Sequence, residues 1–123
     1  MLKYFLTTVF FTVVFYQNCI VEKVSIINLI ATPEKYDQKC ICVKGFFINE
    51  FENRTLFIDK TSAENKLFEN GVTLIFDSTI NEDILSIYQI QYVEIEGIFN
   101  KAKNNNKNTY THYINKIYKI RVM

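Results

Sequence analysis

The chain changes its hydrophobic pattern after its first eighteen residues. From Tyr4 to Tyr16 no charge interrupts an apolar run that has no polar face, and Met1-Leu2-Lys3 supplies a short basic start. That layout is expected of a secretory signal, with residues 1–18 as leader or membrane anchor. The run is short for a membrane span, which needs about 20 apolar residues; the competing reading is a buried N-terminal helix or strand. Beyond it the pattern becomes periodic. Ser25 is placed to cap a short helix whose stripe is Ile26, Ile27, Leu29 and Ile30. Thr32 and Pro33 open one further turn to Tyr36, with Thr32 as cap and Pro at the first helical position. Asp37-Gln38 turns the chain.

Alternation then takes over, as expected of strands half-buried in a sheet. Lys39 to Phe51 predicts a long first strand that Gly45 bulges or bends. A turn at Glu52-Asn53-Arg54 leads to a second strand over Thr55–Asp59. Lys60 to Asn70 is a polar loop with a helical turn, and Val72 to Asp77 is a third strand. Ser78 or Thr79 starts a helix to Tyr88, with Ile80, Ile84, Leu85 and Tyr88 inward. Gln91 to Asn100 is a fourth strand, with Val93 and Ile95 inward and Tyr92, Glu94 and Glu96 on the opposite face. A polar loop over Lys101–Thr109 precedes a fifth strand over Tyr110–Val122. Five strands, a short N-terminal helix and a helix between strands three and four is the order of an OB-like Greek-key barrel, so residues 19–123 are expected to form one mainly β domain of that kind.

The stretch from Val24 to Phe47, with Ser25, an apolar helix, Thr32-Pro33-Glu34-Lys35-Tyr36-Asp37-Gln38-Lys39 and a strand reaching Gly45, is similar to the opening of small secreted or lipid-anchored bacterial OB-fold proteins of unknown function. Thr55-Leu-Phe-Ile and Tyr92-Val-Glu-Ile-Glu-Gly97 match more loosely. Gln38 stands where those proteins usually have Gly, and Thr32 where they have Asn. The resemblance implies fold and export, and brings no catalytic residues with it.

Cys19 follows the apolar run directly, where a bacterial lipoprotein signal places the cysteine that receives lipid. The match is partial: Asn18 stands where Gly, Ala or Ser is usual. Lipidation of Cys19 is the leading expectation, with ordinary cleavage and an uncleaved anchor as alternatives. If Cys19 carries no lipid, a disulfide to Cys40 or Cys42 becomes available in an oxidising compartment.

Composition narrows the chemistry. The apolar share is 49% and the charged share 22%, which suits a folded domain. With Lys3 removed with the leader, 13 basic side chains face 13 acidic ones. That balance gives no long-range pull on nucleic acid, whose binders carry basic patches. Three glycines and no phosphate-loop motif exclude a glycine-rich phosphate cradle. Cys40 and Cys42 share a strand face, but a metal site with His112 would still lack ligands, and two buried or edge thiols are the plainer reading. His112 has no nucleophile tied to it by any motif. Glu94 with Glu96, and Glu50 with Glu52, read as solvated strand positions rather than acid–base pairs.

Phe46, Phe57, Tyr92 and Phe99 are core or an aromatic platform, with Tyr92 expected exposed. Lys101, Lys103 and Lys107 lie in the loop joining strands four and five, a usual OB binding edge. The site residues expected are therefore Tyr92, Lys101, Lys103, Lys107 and Tyr110, with Cys19 for lipid, no catalytic residue, no metal and no cofactor. The expected protein is a monomeric, non-enzymatic, exported binding module of the cell envelope. It is held at the membrane by lipid or anchor and takes a protein, peptide or glycan. A single-stranded nucleic-acid binder and a small metal protein using Cys40 and Cys42 are the alternatives.

Overall fold

A computed structural model describes residues 19–50, 53–77, 80, 85–86, 90–103 and 111–123. The leader expected over residues 1–18 lies outside them, as does most of the helix expected after Ser78. In chain order the elements are β1 (Glu22–Lys23), α1 (Ile26–Ala31), α2 (Pro33–Tyr36), β2 (Cys40–Glu50), β3 (Asn53–Phe57), α3 (Lys60–Glu64), a 3₁₀ turn (Phe68–Asn70), β4 (Gly71–Leu74), β5 (Ile90–Asn100) and β6 (Tyr113–Val122).

Strands β2 to β6 close a ring. β2 pairs antiparallel with β3, β3 with β4, and β5 with β6; β4 and β6 run parallel, and β2 pairs with β5 from Cys40↔Ile98 to Ile48↔Ile90. This is the mainly β, OB-like ring that the order of elements predicts. One element is additional: β1 pairs parallel with β2, Glu22↔Ile41 and Lys23↔Cys42. A strand of two residues has no periodicity to detect.

Alternation explains the interior. Ile41, Val43 and Phe47 of β2 point into the ring with Leu56, Val72, Val93, Ile95, Phe99 and Ile114. Ile26 and Leu29 of α1 join this core, and Ile80 packs against it. Leu85 is fully buried, and its carbonyl accepts from Asn49 Nδ2 at 3.0 Å. Each such apolar side chain contributes roughly 1.5–3 kcal/mol by leaving water.

Gly45 sits where β2 changes partner, from β1 over residues 41–42 to β3 from residue 46. A Cβ there would lie 2.6 Å from Ile26 Cδ1 and 2.7 Å from both Leu56 Cγ and the Phe57 carbonyl oxygen. The glycine thus permits close approach of three elements, which is the physical content of the bend expected at this position.

Two local expectations need correction. Ser25 caps α1 as predicted, accepting from the Asn28 N–H at 3.2 Å. Thr32 does not cap α2: its hydroxyl donates back to the Asn28 carbonyl at 3.0 Å and so ends α1 instead. Ile27 is not part of the buried stripe, because it lies beside the Ile26, Leu29 and Ile30 face and is 58% exposed.

Candidate functional site

The face on which OB-folds usually hold bases or sugars lies outside the second and third strands of the ring. Here Phe46 and Phe57 point outward on that side but are 5% and 2% exposed. The segment Lys60–Asn70 covers them. Asp59 caps α3 by accepting from the Ser62 N–H at 2.7 Å, which holds its carboxyl below the usual carboxylate range. Ala63 then packs on Phe46 and Phe57, and Phe68 meets the Phe57 ring at 5.8 Å. Phe99 is inside the ring. Of the four aromatics, Tyr92 alone remains well exposed, its ring edge-on to Phe46 at 4.9 Å.

Nor does Tyr92 join the lysines of the β5–β6 loop. Tyr92 and Lys101 stand nine positions apart along β5 and its end, about 30 Å in extended chain. Lys101 and Lys103 come together with Asp37, Gln38, Asn100 and Tyr113 around a polar cleft of about 320 Å³. The Asp37-Gln38 turn is stitched to this end of β5. Gln38 N–H donates to the Phe99 carbonyl at 2.7 Å, its side-chain amide reaches Asn100 Oδ1 at 2.6 Å, and Lys101 N–H donates to Asp37 Oδ1 at 2.9 Å. Gln38 has a φ of 64°, the left-handed conformation for which Gly is the usual residue. Lys107 and Tyr110 lie outside the described residues, as does Glu52; Glu50 is exposed.

His112 fastens the far side of the loop. Its Nδ1 accepts from the Ala102 N–H at 2.8 Å and its ring packs 5.5 Å from Phe99. Burial, then the Lys101 charge, pushes its pKa below the ordinary histidine value. Among the described residues no three of His, Cys, Asp and Glu gather as metal ligands, and no helix is long and apolar enough to cross a membrane.

A second outward surface is built where β1 and α1 lie beside β2. The parallel register sets Lys23 opposite Cys42 and carries the chain before Glu22 back along β2 beyond Ile41, so Cys19 lies towards Cys40 and away from Cys42. The two sulfurs are bonded, with Cα atoms 5.9 Å apart, inside the range a disulfide needs. Acylation would use the same Cys19 sulfur, so lipid and disulfide exclude each other. Cys40 also ceases to be a thiolate donor, so the Cys-x-Cys pair does not offer two metal ligands. Cys42 is a free, buried thiol; burial, then Glu94 and Glu96, push its pKa up, which keeps it protonated and a poor nucleophile.

Glu94 departs most from expectation. It is outward-facing, as alternation predicts, yet its side chain is only 7% exposed. Arg121 Nη2 donates to it at 2.5 Å from β6 and Lys44 Nζ stands 3.9 Å away on β2, while Lys119 pairs with Glu96 at 3.2 Å. Glu94 and Lys44, with Cys42 and Ile58, form one side of a cleft of about 460 Å³ whose other side is Lys23, Val24, Ser25, Ile26 and Ile27. That volume is in the range of small-molecule sites, and the mix of an apolar majority with few polar groups is theirs too. The strand β1 that walls this cleft is too short to read from sequence, so the cleft was not legible there.

No family model matches the chain, and no curated protein matches it in sequence. Solved structures do match its fold. A chain assigned as an aspartyl-tRNA synthetase from Leishmania major Friedlin aligns over 87% of this chain with a TM-score of 0.51 and 9% identity. The aligned part is 21% of that chain, so this protein spans about a fifth of its length. At that identity the likeness is one of architecture: the chain is a small β domain with the OB-like ring found within that synthetase.

Proposed function

We propose that this chain is an exported, non-enzymatic OB-like binding module of the cell envelope, and that its binding site is the cleft between β1–α1 and β2. The observation that carries the proposal is the Cys19–Cys40 disulfide, which pins a wall of that cleft. Disulfides persist in oxidising compartments and are rare in the cytosol, so the crosslink supports export in agreement with the apolar leader. It favours a cleaved, crosslinked chain over one acylated at Cys19. The non-enzymatic part rests on the side chains that could react. Cys42 is held protonated, and the His112 Nδ1 is committed to a backbone N–H.

Intact-mass analysis of the protein from fractionated cells tests export. The expected species lacks the leader, lies in an envelope or external fraction and gains 2 Da on reduction. A cytosolic chain with its leader and free thiols would refute the proposal. Native mass spectrometry of the same preparation tests the cleft. A bound molecule should appear as a mass increment that Ile27→Asp removes, since that change places a charge in the apolar wall. A molecule retained equally by the variant would place binding elsewhere.

A further inference from the structure

The cleft carries a charge pattern that specifies its ligand, and we infer that it binds a small amphipathic anion, an apolar chain ending in one carboxylate. This rests on the binding-module reading and names the ligand class of the same cleft. Val24, Ile26, Ile27 and Ile58 give the cleft its apolar surface. Ile27 is otherwise an unexplained exposed isoleucine on a helix whose other isoleucines pack inward. An apolar chain against it removes from water the surface that folding leaves exposed, at roughly 25 cal/mol per Å².

Charge sets the other end. The cleft is lined by two cations, Lys23 and Lys44, and one acid, Glu94. Glu94 is already matched by Arg121, which holds one of its oxygens from β6; Lys44 stands 3.9 Å from the other. Glu94 thus has two cationic partners and the neighbouring Glu96 has Lys119, while Lys23 lines the cleft on its opposite side, so the local balance is positive. A neutral or cationic head would leave that excess unmatched, whereas a carboxylate completes it. Ser25 adds polarity of the right kind. Its oxygen accepts from the Asn28 N–H, so its own O–H can donate into the cleft. Cys42, protonated, offers no competing negative charge.

Calorimetric titration of the processed, oxidised protein with dodecanoate, without detergent and below the micelle concentration, tests this inference. The expected result is saturable binding at one site per chain. Acetate, which lacks the chain, and dodecyltrimethylammonium, which reverses the head charge, should show none. Lys23→Gln with Lys44→Gln, and separately Ile27→Asp, should each weaken dodecanoate at least tenfold while circular dichroism stays that of the parent. No saturable binding, equal binding of the cationic amphiphile, or binding that both variants leave unchanged would overturn the inference. If the native mass increment persists, depends on Ile27 and proves not to be an anionic amphiphile, the binding-module reading stands and the ligand class fails alone.

Discussion

Removing the Cys19–Cys40 crosslink should cost this domain a large part of its stability. The bond closes a loop with a sequence separation of 21. Closing a loop of that length lowers the entropy of the unfolded chain by about 11 cal/mol/K, or about 3.3 kcal/mol at 25 °C. Few native contacts compensate for the loss. β1 holds to β2 through two residue pairs and the Val24 N–H to Cys42 carbonyl bond at 3.0 Å. For a domain of roughly 100 residues, an unfolding entropy of about 0.21 kcal/mol/K converts that loss into a fall in Tm of about 15 °C. Differential scanning calorimetry of the oxidised protein, of the same protein with dithiothreitol, and of Cys19→Ser and Cys40→Ser measures it. All three perturbations should give similar falls, because each removes one constraint. Cys42→Ser should retain the bond and lie within a few degrees of the parent, since Cys19 is bonded to Cys40 and Cys42 is free. A reduced protein melting within about 3 °C of the oxidised one would refute the entropic account, and loss of the crosslink on Cys42→Ser instead would refute the Cys19–Cys40 pairing.

Two further outcomes follow from side-chain geometry. Gly45→Ala should destabilise by about 1–3 kcal/mol, the usual cost of overpacking, because one of the three atoms within 2.7 Å of the new Cβ is a backbone oxygen that cannot rotate away; urea denaturation reads this, and an unchanged midpoint would show that β3 yields at Leu56 and Phe57 as freely as α1 does at Ile26. His112 should make the domain acid-sensitive. Its folded pKa is lowered by burial and Lys101, so below the ordinary value of about 6.5 the unfolded chain binds a proton that the folded one resists. Stability is then fully present above that value and falls as pH drops towards the folded pKa. Urea midpoints from pH 7.5 to 5 should fall more steeply for the parent than for His112→Gln, and parallel curves would remove the histidine from the account.

The ring was legible in the sequence because its interior obeys alternation. Ile41, Val43, Val93 and Ile95 were placed inward by a period of two, and β2 to β6 lie close to the spans that period predicts. Even the departure at Gln38 is informative, since the position at which the resemblance leads one to expect Gly has a positive φ. The site was not legible, for a single reason. Alternation reports which face a residue points to, and says nothing of what lies over that face. Cys42, Phe46 and Glu94 all point outward and all are buried, Cys42 beside β1, Phe46 under α3 and Glu94 between Lys44 and Arg121. β1 is too short and α3 too polar to announce itself, and the Lys44 and Arg121 partners of Glu94 lie on strands whose pairing alternation does not report, so Glu94 reads as solvated and Phe46 as core or platform. Tyr92 is expected by its alternation with Val93 and the lysines by their place in the loop between strands four and five, and extended strand geometry separates Tyr92 from Lys101.

The covered platform bears directly on the proposed binding site. Uncovering Phe46 and Phe57 from α3 would return two Phe side chains to water, at roughly 1.5–3 kcal/mol each. A base stacked on an exposed aromatic returns about 1–3 kcal/mol. Opening the platform and stacking two bases therefore comes out near zero, and a formal net charge of +1 adds little general attraction for a polyanion. The cleft at β1 has the opposite energetics. In the proposed site the chain leading into one wall is tethered by the Cys19–Cys40 bond, Ile27 is already exposed, and Lys23 and Lys44 line the cleft. A ligand there would gain apolar contact and charge complementarity without first displacing an element of the fold. Preorganisation of this kind lets a small cleft bind well. On the proposed reading the segment Lys60–Asn70 and the disulfide act in the same direction, one covering the surface that OB-folds commonly use and the other tethering the wall of the proposed cleft.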